Sequence, residues 1–147
     1  MPACLVAAVE ALRRSEKFSD VRLVLIGRDL KRPTDAAVVT LMRHACAFLY
    51  PSWYEGFGIP LHEAARFGTP CIASPASVLP ETAPRGTLFA SPAKPQEWAE
   101  ALEIILSASN EHRTSTALGD WMLAGEMIRD QIMQTSPLSL RGLEANV

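Results

Sequence analysis

The sequence predicts an α/β fold, a single parallel sheet flanked by helices, and three observations carry that expectation. Short β-branched and leucine-rich runs alternate with stretches of helical period. Each run is closed by Gly or Pro, as buried strands are before a turn. The 147 residues suffice for one domain with one core, and no internal repeat or low-complexity segment interrupts them.

Taken in order, residues 4–15 place Leu5, Ala8, Val9 and Leu12 at three-and-four spacing, one face of a helix. "VRLVLIG" (Val21–Gly27) reads as a strand buried on both faces. "TDAAVVTLMRHA" reads as a second helix, with Thr34 or Asp35 as its cap. "CAFLYPS" is a strand that stops at Pro51, and "CIASP" a third that stops at Pro75. "PQEWAEALEIILSAS" is a helix with Trp98, Leu102 and Ile105 on one stripe. "LGDWMLAGEMIRDQIMQ" is another, with Trp121, Ala124, Ile128 and Ile132 in register. The expected domain is 1–135, and 136–147 reads as a frayed tail.

Composition narrows the function. A net charge of -2 with no block of like charge argues against nucleic acid or an anionic membrane as the main partner. The three cysteines, Cys4, Cys46 and Cys71, have neither metal nor disulfide spacing, which favours a reducing, cytoplasmic setting. Cys46 and Cys71 sit in or beside apolar runs and read as small core residues. No apolar run is long enough to span a bilayer, and the N-terminus lacks the basic start of a signal peptide. No cofactor or metal is expected.

The informative stretch is "PSWYEGFGIPLHEAARFGTP", Pro51–Pro70. It leaves the strand "CAFLY" at its carboxyl end, where ligands of parallel α/β sheets collect. Gly56 and Gly58 give the backbone conformations closed to other residues and let a ligand approach main-chain amides. Pro60 suits the first position of a short helix, ended by Gly68 in left-handed form and by Pro70. Free amides and the positive end of that helix favour a phosphate. An ionised carboxylate only accepts hydrogen bonds, so Glu55 and Glu63 can each hold two vicinal hydroxyls of a sugar or ribose. Together they suit a nucleotide-sugar. A plainer reading stays open for each: Glu63 as a first-turn capping carboxylate, Glu55 as a solvated turn residue. Trp53, Tyr54 and Phe57 read as loop anchors packed on the core, and His62 as a surface or supporting residue.

These residues resemble the signature of retaining glycosyltransferases of family four, whose GT-B fold pairs two Rossmann-like domains. That signature holds two glutamates separated by seven residues, as Glu55 and Glu63 are. The likeness runs into "SVLPETA" and "LFASPAKPQEWAEALEIIL" and back into "LVLIG", roughly Leu5 to Ser107. It implies the C-terminal, nucleotide-sugar-binding half of such an enzyme. Glu63 would then bind the ribose and Glu55, the catalytic-site carboxylate, the transferred sugar. The backbone of Gly56, Phe57 and Gly58 would meet sugar hydroxyls, and Ile59, Pro60 and Leu61 would face the diphosphate. The reaction implied is transfer from a nucleotide-diphosphate sugar to an acceptor hydroxyl, without a metal, by positioning and by stabilising the leaving diphosphate.

Against that family the chain reads as truncated. The acceptor domain and the Arg and Lys that neutralise the diphosphate are missing, and "RDLKRPTD" replaces a longer strand–helix excursion. Arg28, Lys31 and Arg32 are either substitute cations or a solvated turn. Two functions follow: a donor-binding half inactive without an acceptor-domain partner, or a non-catalytic binding or assembly module. The last helix would supply a homo-oligomer or partner contact. A flavodoxin-like signalling domain is disfavoured, because no acidic cluster stands at the strand ends.

Overall fold

The computed structural model describes residues 2–109. The helix expected at 118–134, its partner contact, the domain end at 135 and the tail at 136–147 lie outside the described residues.

The elements in order are α1 (Pro2–Arg13), a 3-10 turn (Glu16–Phe18), α2 (Asp35–His44) and β1 (Phe48–Tyr50). Then come α3 (Ile59–Arg66), β2 (Cys71–Ala73), α4 (Leu79–Thr82), β3 (Leu88–Phe89) and α5 (Pro95–Ser109). The strands form one parallel sheet in the order β1-β2-β3. Phe48 pairs with Cys71, Tyr50 with Ala73, and Ala73 with Phe89. The expected α/β architecture is therefore present.

The middle strand shows why. Successive side chains of a strand point to opposite faces, and β2 is buried throughout. Ile72 joins a cluster with Leu5, Val9 and Leu12 of α1 and Trp98, Leu102 and Ile105 of α5. Cys71 and Ala73 join the other cluster, with Met42 of α2, Leu61 and Ala64 of α3, and Leu79 of α4. The apolar stripes of α1 and α5 thus cover one face, and α2, α3 and α4 the other. Burial pushes the Cys71 thiol up to about 11, so it is a core residue and a poor nucleophile. Thr34 caps α2, its side chain accepting from the Ala37 amide at 3.3 Å.

One expected strand is corrected. Val21–Gly27 joins no ladder; an isolated bridge links Ile26 to Leu30. It is covered on one face only: Val21, Leu23 and Leu25 pack on the α1/α5 cluster, while Val24 and Ile26 face out. The end of the segment is tied into the following turn. The Leu25 amide donates to the Asp29 carboxylate at 2.9 Å, and the Leu25 carbonyl accepts from the amides of Arg28 and Asp29. At Leu25 both backbone groups are thus engaged by the turn rather than by a neighbouring strand.

Trp98 is fully buried and its indole N–H donates to the Ser91 carbonyl at 2.8 Å, fixing the start of α5 against the sheet. Trp98→Ala is expected to lower stability by about 3–5 kcal/mol through lost burial and a residual cavity. Urea unfolding of both proteins measures it.

Candidate functional site

The chain leaves β1 at Tyr50 and reaches α3 through the loop at 51–58, at the carboxyl end of the sheet. Side chains from three elements fasten this loop. The Ser74 hydroxyl, just past β2, donates to the Ser52 carbonyl, and the Ser74 amide donates to the Tyr50 carbonyl at 3.2 Å. The Thr82 hydroxyl, at the end of α4, donates to the Phe57 carbonyl at 2.8 Å. His62 of α3 bonds through Nε2 to the Thr82 carbonyl at 2.7 Å. Its ring also stacks on Phe57, with centroids 4.9 Å apart.

Glu55 is half-buried and is the acceptor of a short bond: the Tyr50 phenol donates to its Oε2 at 2.5 Å. Partial burial, then the Glu55 hydrogen bond and the Glu55 charge, push the Tyr50 phenol up to about 12.

The turn into α3 is built on Gly58, in the left-handed region at φ 84° and ψ 40°. A Cβ there would lie 2.6 Å from Leu79 Cδ2 and 3.3 Å from Leu61 Cδ1, and both leucines are fully buried. Gly58 is thus required by conformation and by space. Gly56 is not: its φ is not positive, and nothing lies near its Cβ direction. Among the described residues no acceptor is found for the N–H groups of Gly56, Phe57, Gly58 or Ile59. The Leu61 amide does have one, the Gly58 carbonyl at 2.9 Å, and its side chain is core rather than crevice.

Further expectations are revised at this loop. Pro60 occupies the second helical position rather than the first, where its missing amide is equally harmless. Glu63 therefore falls beyond the first turn, and α3 has no acidic residue in its first turn. The capping account of Glu63 loses its geometry. Glu63 is exposed on α3 and makes no ion pair among the described residues. The supposed anchors Trp53, Tyr54 and Phe57 face outward, 59%, 83% and 52% exposed. Leu61 and Leu79, not these aromatic side chains, pack beneath the turn at Gly58. Gly68 is left-handed at φ 78° and closes α3 as expected.

The structure joins Glu55 to Tyr50, and Phe57 to His62 and Thr82; it makes no bond between Glu55 and Glu63. Tyr50 and Thr82 were not read as site residues. Tyr50 carried a usable signal, a phenol ending a strand five residues before a carboxylate; Thr82, on a helix of four residues, carried none. Arg28 pairs with the adjacent Asp29 at 3.9 Å, both exposed, in the turn before α2. A shallow hollow among Gly68, Thr69, Cys71, Arg85 and Thr87 opens where β2 begins, at the end of the strand away from Tyr50 and Glu55. Among the described residues no His, Cys, Asp and Glu cluster is placed to hold a metal ion, and no helix is long and apolar enough to cross a membrane.

Comparison with known proteins gives a consistent picture. The family described as Glycosyl transferases group 1 matches residues 30–117, more than half of the chain. The chain is 46% identical over 48 residues to "O-antigen chain mannosyltransferase B" of Escherichia coli, covering 33% of this chain and 13% of that protein. It is 40% identical over 65 residues to "O-antigen chain mannosyltransferase RfbU" of Salmonella typhimurium, covering 44% and 18%. It is 37% identical over 90 residues to "MMP alpha-(1->4)-mannosyltransferase" of Mycolicibacterium hassiacum, covering 59% and 21%. The matched stretch thus spans about a fifth or less of each of these curated relatives. No solved structure matches.

Two outcomes are expected from this geometry. Gly58→Ala should destabilise by at least about 1–2 kcal/mol, the cost of a left-handed non-glycine residue, plus displacement of Leu79. Urea unfolding reads it. A phenol whose folded value exceeds its ordinary value of about 10 stabilises the fold fully below that pH. Its contribution is lost as pH rises toward about 12. Glu55→Gln removes the charge and should lower the Tyr50 midpoint in an ultraviolet phenolate titration, assigned with a Tyr50→Phe control.

Proposed function

Because the chain belongs to the Glycosyl transferases group 1 family, we propose that it forms the donor-binding half of a retaining glycosyltransferase of the GT-B kind. It takes a nucleotide-diphosphate sugar and delivers the sugar to an acceptor hydroxyl. The observation that carries this reading is the site at the carboxyl end of the sheet. There a fastened loop presents an ionisable carboxylate, Glu55, beside unengaged main-chain amides at the start of α3. The names of the relatives favour mannose as the sugar.

In this reading the roles divide by chemistry. The amides of Gly58 and Ile59, at the positive end of α3, face the diphosphate and stabilise the charge that grows on it as it departs. Pro60 contributes no donor and Leu61 supports from the core. Glu55, Gly56 and Phe57 meet the sugar hydroxyls, with Glu55 next to the reacting sugar. Glu63, one turn further along α3 and free of capping duty, accepts from the ribose. Binding and alignment, rather than proton shuttling, supply the acceleration. Transfer then needs an acceptor-binding domain that closes over this one and excludes water. Residues 1–135 are the proposed extent of the donor-binding domain, in a reducing, cytoplasmic setting.

A second reading, a non-catalytic nucleotide-sugar or assembly module, is favoured by one observation. Trp53, Tyr54 and Phe57 of the loop and Ile59 at the start of α3 are all exposed apolar side chains. It shares the donor site and differs in one respect: no sugar transfer when an acceptor domain is supplied.

A ligand-detected NMR screen of nucleoside diphosphates, free and mannosylated, tests the donor site. Glu63→Ala should weaken both forms about tenfold, the scale of a lost hydrogen bond to a charged group. Glu55→Ala should spare the free nucleotide and remove the advantage of the sugar. Negligible change from both substitutions would sink the reading.

A further inference from the structure

We infer that Tyr50 is a positioning residue for the sugar, because its phenol holds Glu55 through Oε2 and so presents Oε1, the less occupied oxygen, to the sugar. The inference rests on the donor-site reading above and goes beyond it by assigning a residue outside the loop and the oxygen of Glu55 that leads in recognition.

Geometry supports it in three steps. Tyr50 is the last residue of β1, paired with Ala73 in the fully buried β2. The Ser74 amide bonds the Tyr50 carbonyl at 3.2 Å, which ties the strand end just where the loop departs. The Tyr50 ring lies on Phe48, centroids 6.0 Å apart, packed against the cluster that holds Met42 and Leu61. The phenol thus reaches Glu55 from a rigid base, whereas Glu55 itself sits in a loop with no regular backbone pairing. A free glutamate has three side-chain torsions to order when it grips a ligand; this one is ordered beforehand.

Orientation sets the specificity. An ionised carboxylate has two oxygens with about four acceptor sites between them. The phenol takes one of them on Oε2 at 2.5 Å and leaves Oε1 with its full accepting capacity. The sugar hydroxyl that meets Oε1 should therefore carry the largest share of the contribution of Glu55, and its neighbours less.

The test uses the full chain with the nucleoside diphosphate that binds best, its mannosylated form, and that form lacking one mannose hydroxyl at a time. The quantity read is sugar preference, the ratio of the Kd for free nucleotide to that for the mannosylated nucleotide. Tyr50→Phe should reduce this preference about 3–10-fold while the Kd for free nucleotide stays within about twofold. In a Glu55→Gln background the same change should do nothing further. Wild-type protein should lose more of its preference with one deoxy analogue than with any other.

Three results would overturn the inference: an unchanged preference, an equal loss for free and mannosylated nucleotide, or an effect that persists without Glu55. Should Tyr50→Phe fail to fold, the Tyr50 ring carbon bearing the hydroxyl reports instead, by its NMR shift at neutral pH. It should move with mannosylated nucleotide and stay still with free nucleotide; the same response to both overturns the assignment. Failure of the donor-site reading looks different. Wild-type protein would then show no preference for the mannosylated form, before any variant is made.

Discussion

Everything in this molecule is arranged around a strand of three residues that has no exposed face. Cys71, Ile72 and Ala73 alternate between two apolar clusters, so both sides of the sheet must be covered by helices. A sheet covered on both faces has only its strand ends open to a ligand. At the amino ends the Thr69 hydroxyl donates to the Met42 carbonyl and the Pro70 carbonyl accepts the Phe48 amide, beside the shallow hollow at the start of β2. The carboxyl ends carry the unengaged amides and the carboxylate on which the proposed function rests. There Tyr50 and Ala73 finish side by side and the 51–58 loop begins.

That logic was readable in the chain where periodicity or composition carried it. The stripes of α1 and α5 and the stop at Gly68 were legible because each depends on residues close in sequence. Val21–Gly27 misled because its composition is that of a strand buried on both faces, whereas only Val21, Leu23 and Leu25 are covered and Asp29 takes up the Leu25 amide. β3 and α4 are too short to show any period. At the site, the glycine–aromatic–glycine turn was legible as a turn, but which glycine mattered was not. Only tertiary packing reveals Leu79 beneath Gly58. The outward facing of Trp53 and Tyr54 was hidden for the same reason, since aromatic side chains in a loop carry no mark of which way they turn.

Two kinds of contact meet at the loop, and they separate its structural from its chemical duties. Ser74 and Thr82 hold the backbone of the loop through the carbonyls of Ser52 and Phe57, while His62 braces it by stacking on Phe57 and bonding the Thr82 carbonyl; the amides of residues 56–59 have no acceptor among the described residues. Tyr50 holds a side chain, Glu55. A loop fastened by its carbonyls keeps its N–H groups for a ligand rich in oxygen. The same division explains why the capping account of Glu63 fails: Gly58, not a carboxylate, begins α3, and the helix start carries no acidic side chain.

The Thr82 bond to Phe57 and the serine bond to Ser52 are dipole–dipole contacts between a hydroxyl and a carbonyl, with no net charge on either partner. Mobile ions screen the attraction between separated charges within a Debye length, about 8 Å at physiological ionic strength, and have little hold on neutral groups in direct contact. On the donor-site reading proposed above, rising salt should therefore slacken the grip on an anion at this end of the sheet well before it disturbs the shape of the ledge proposed to receive it. Occupancy and architecture are in that sense tuned by different variables, and an ionic-strength series can move one while the other stands still.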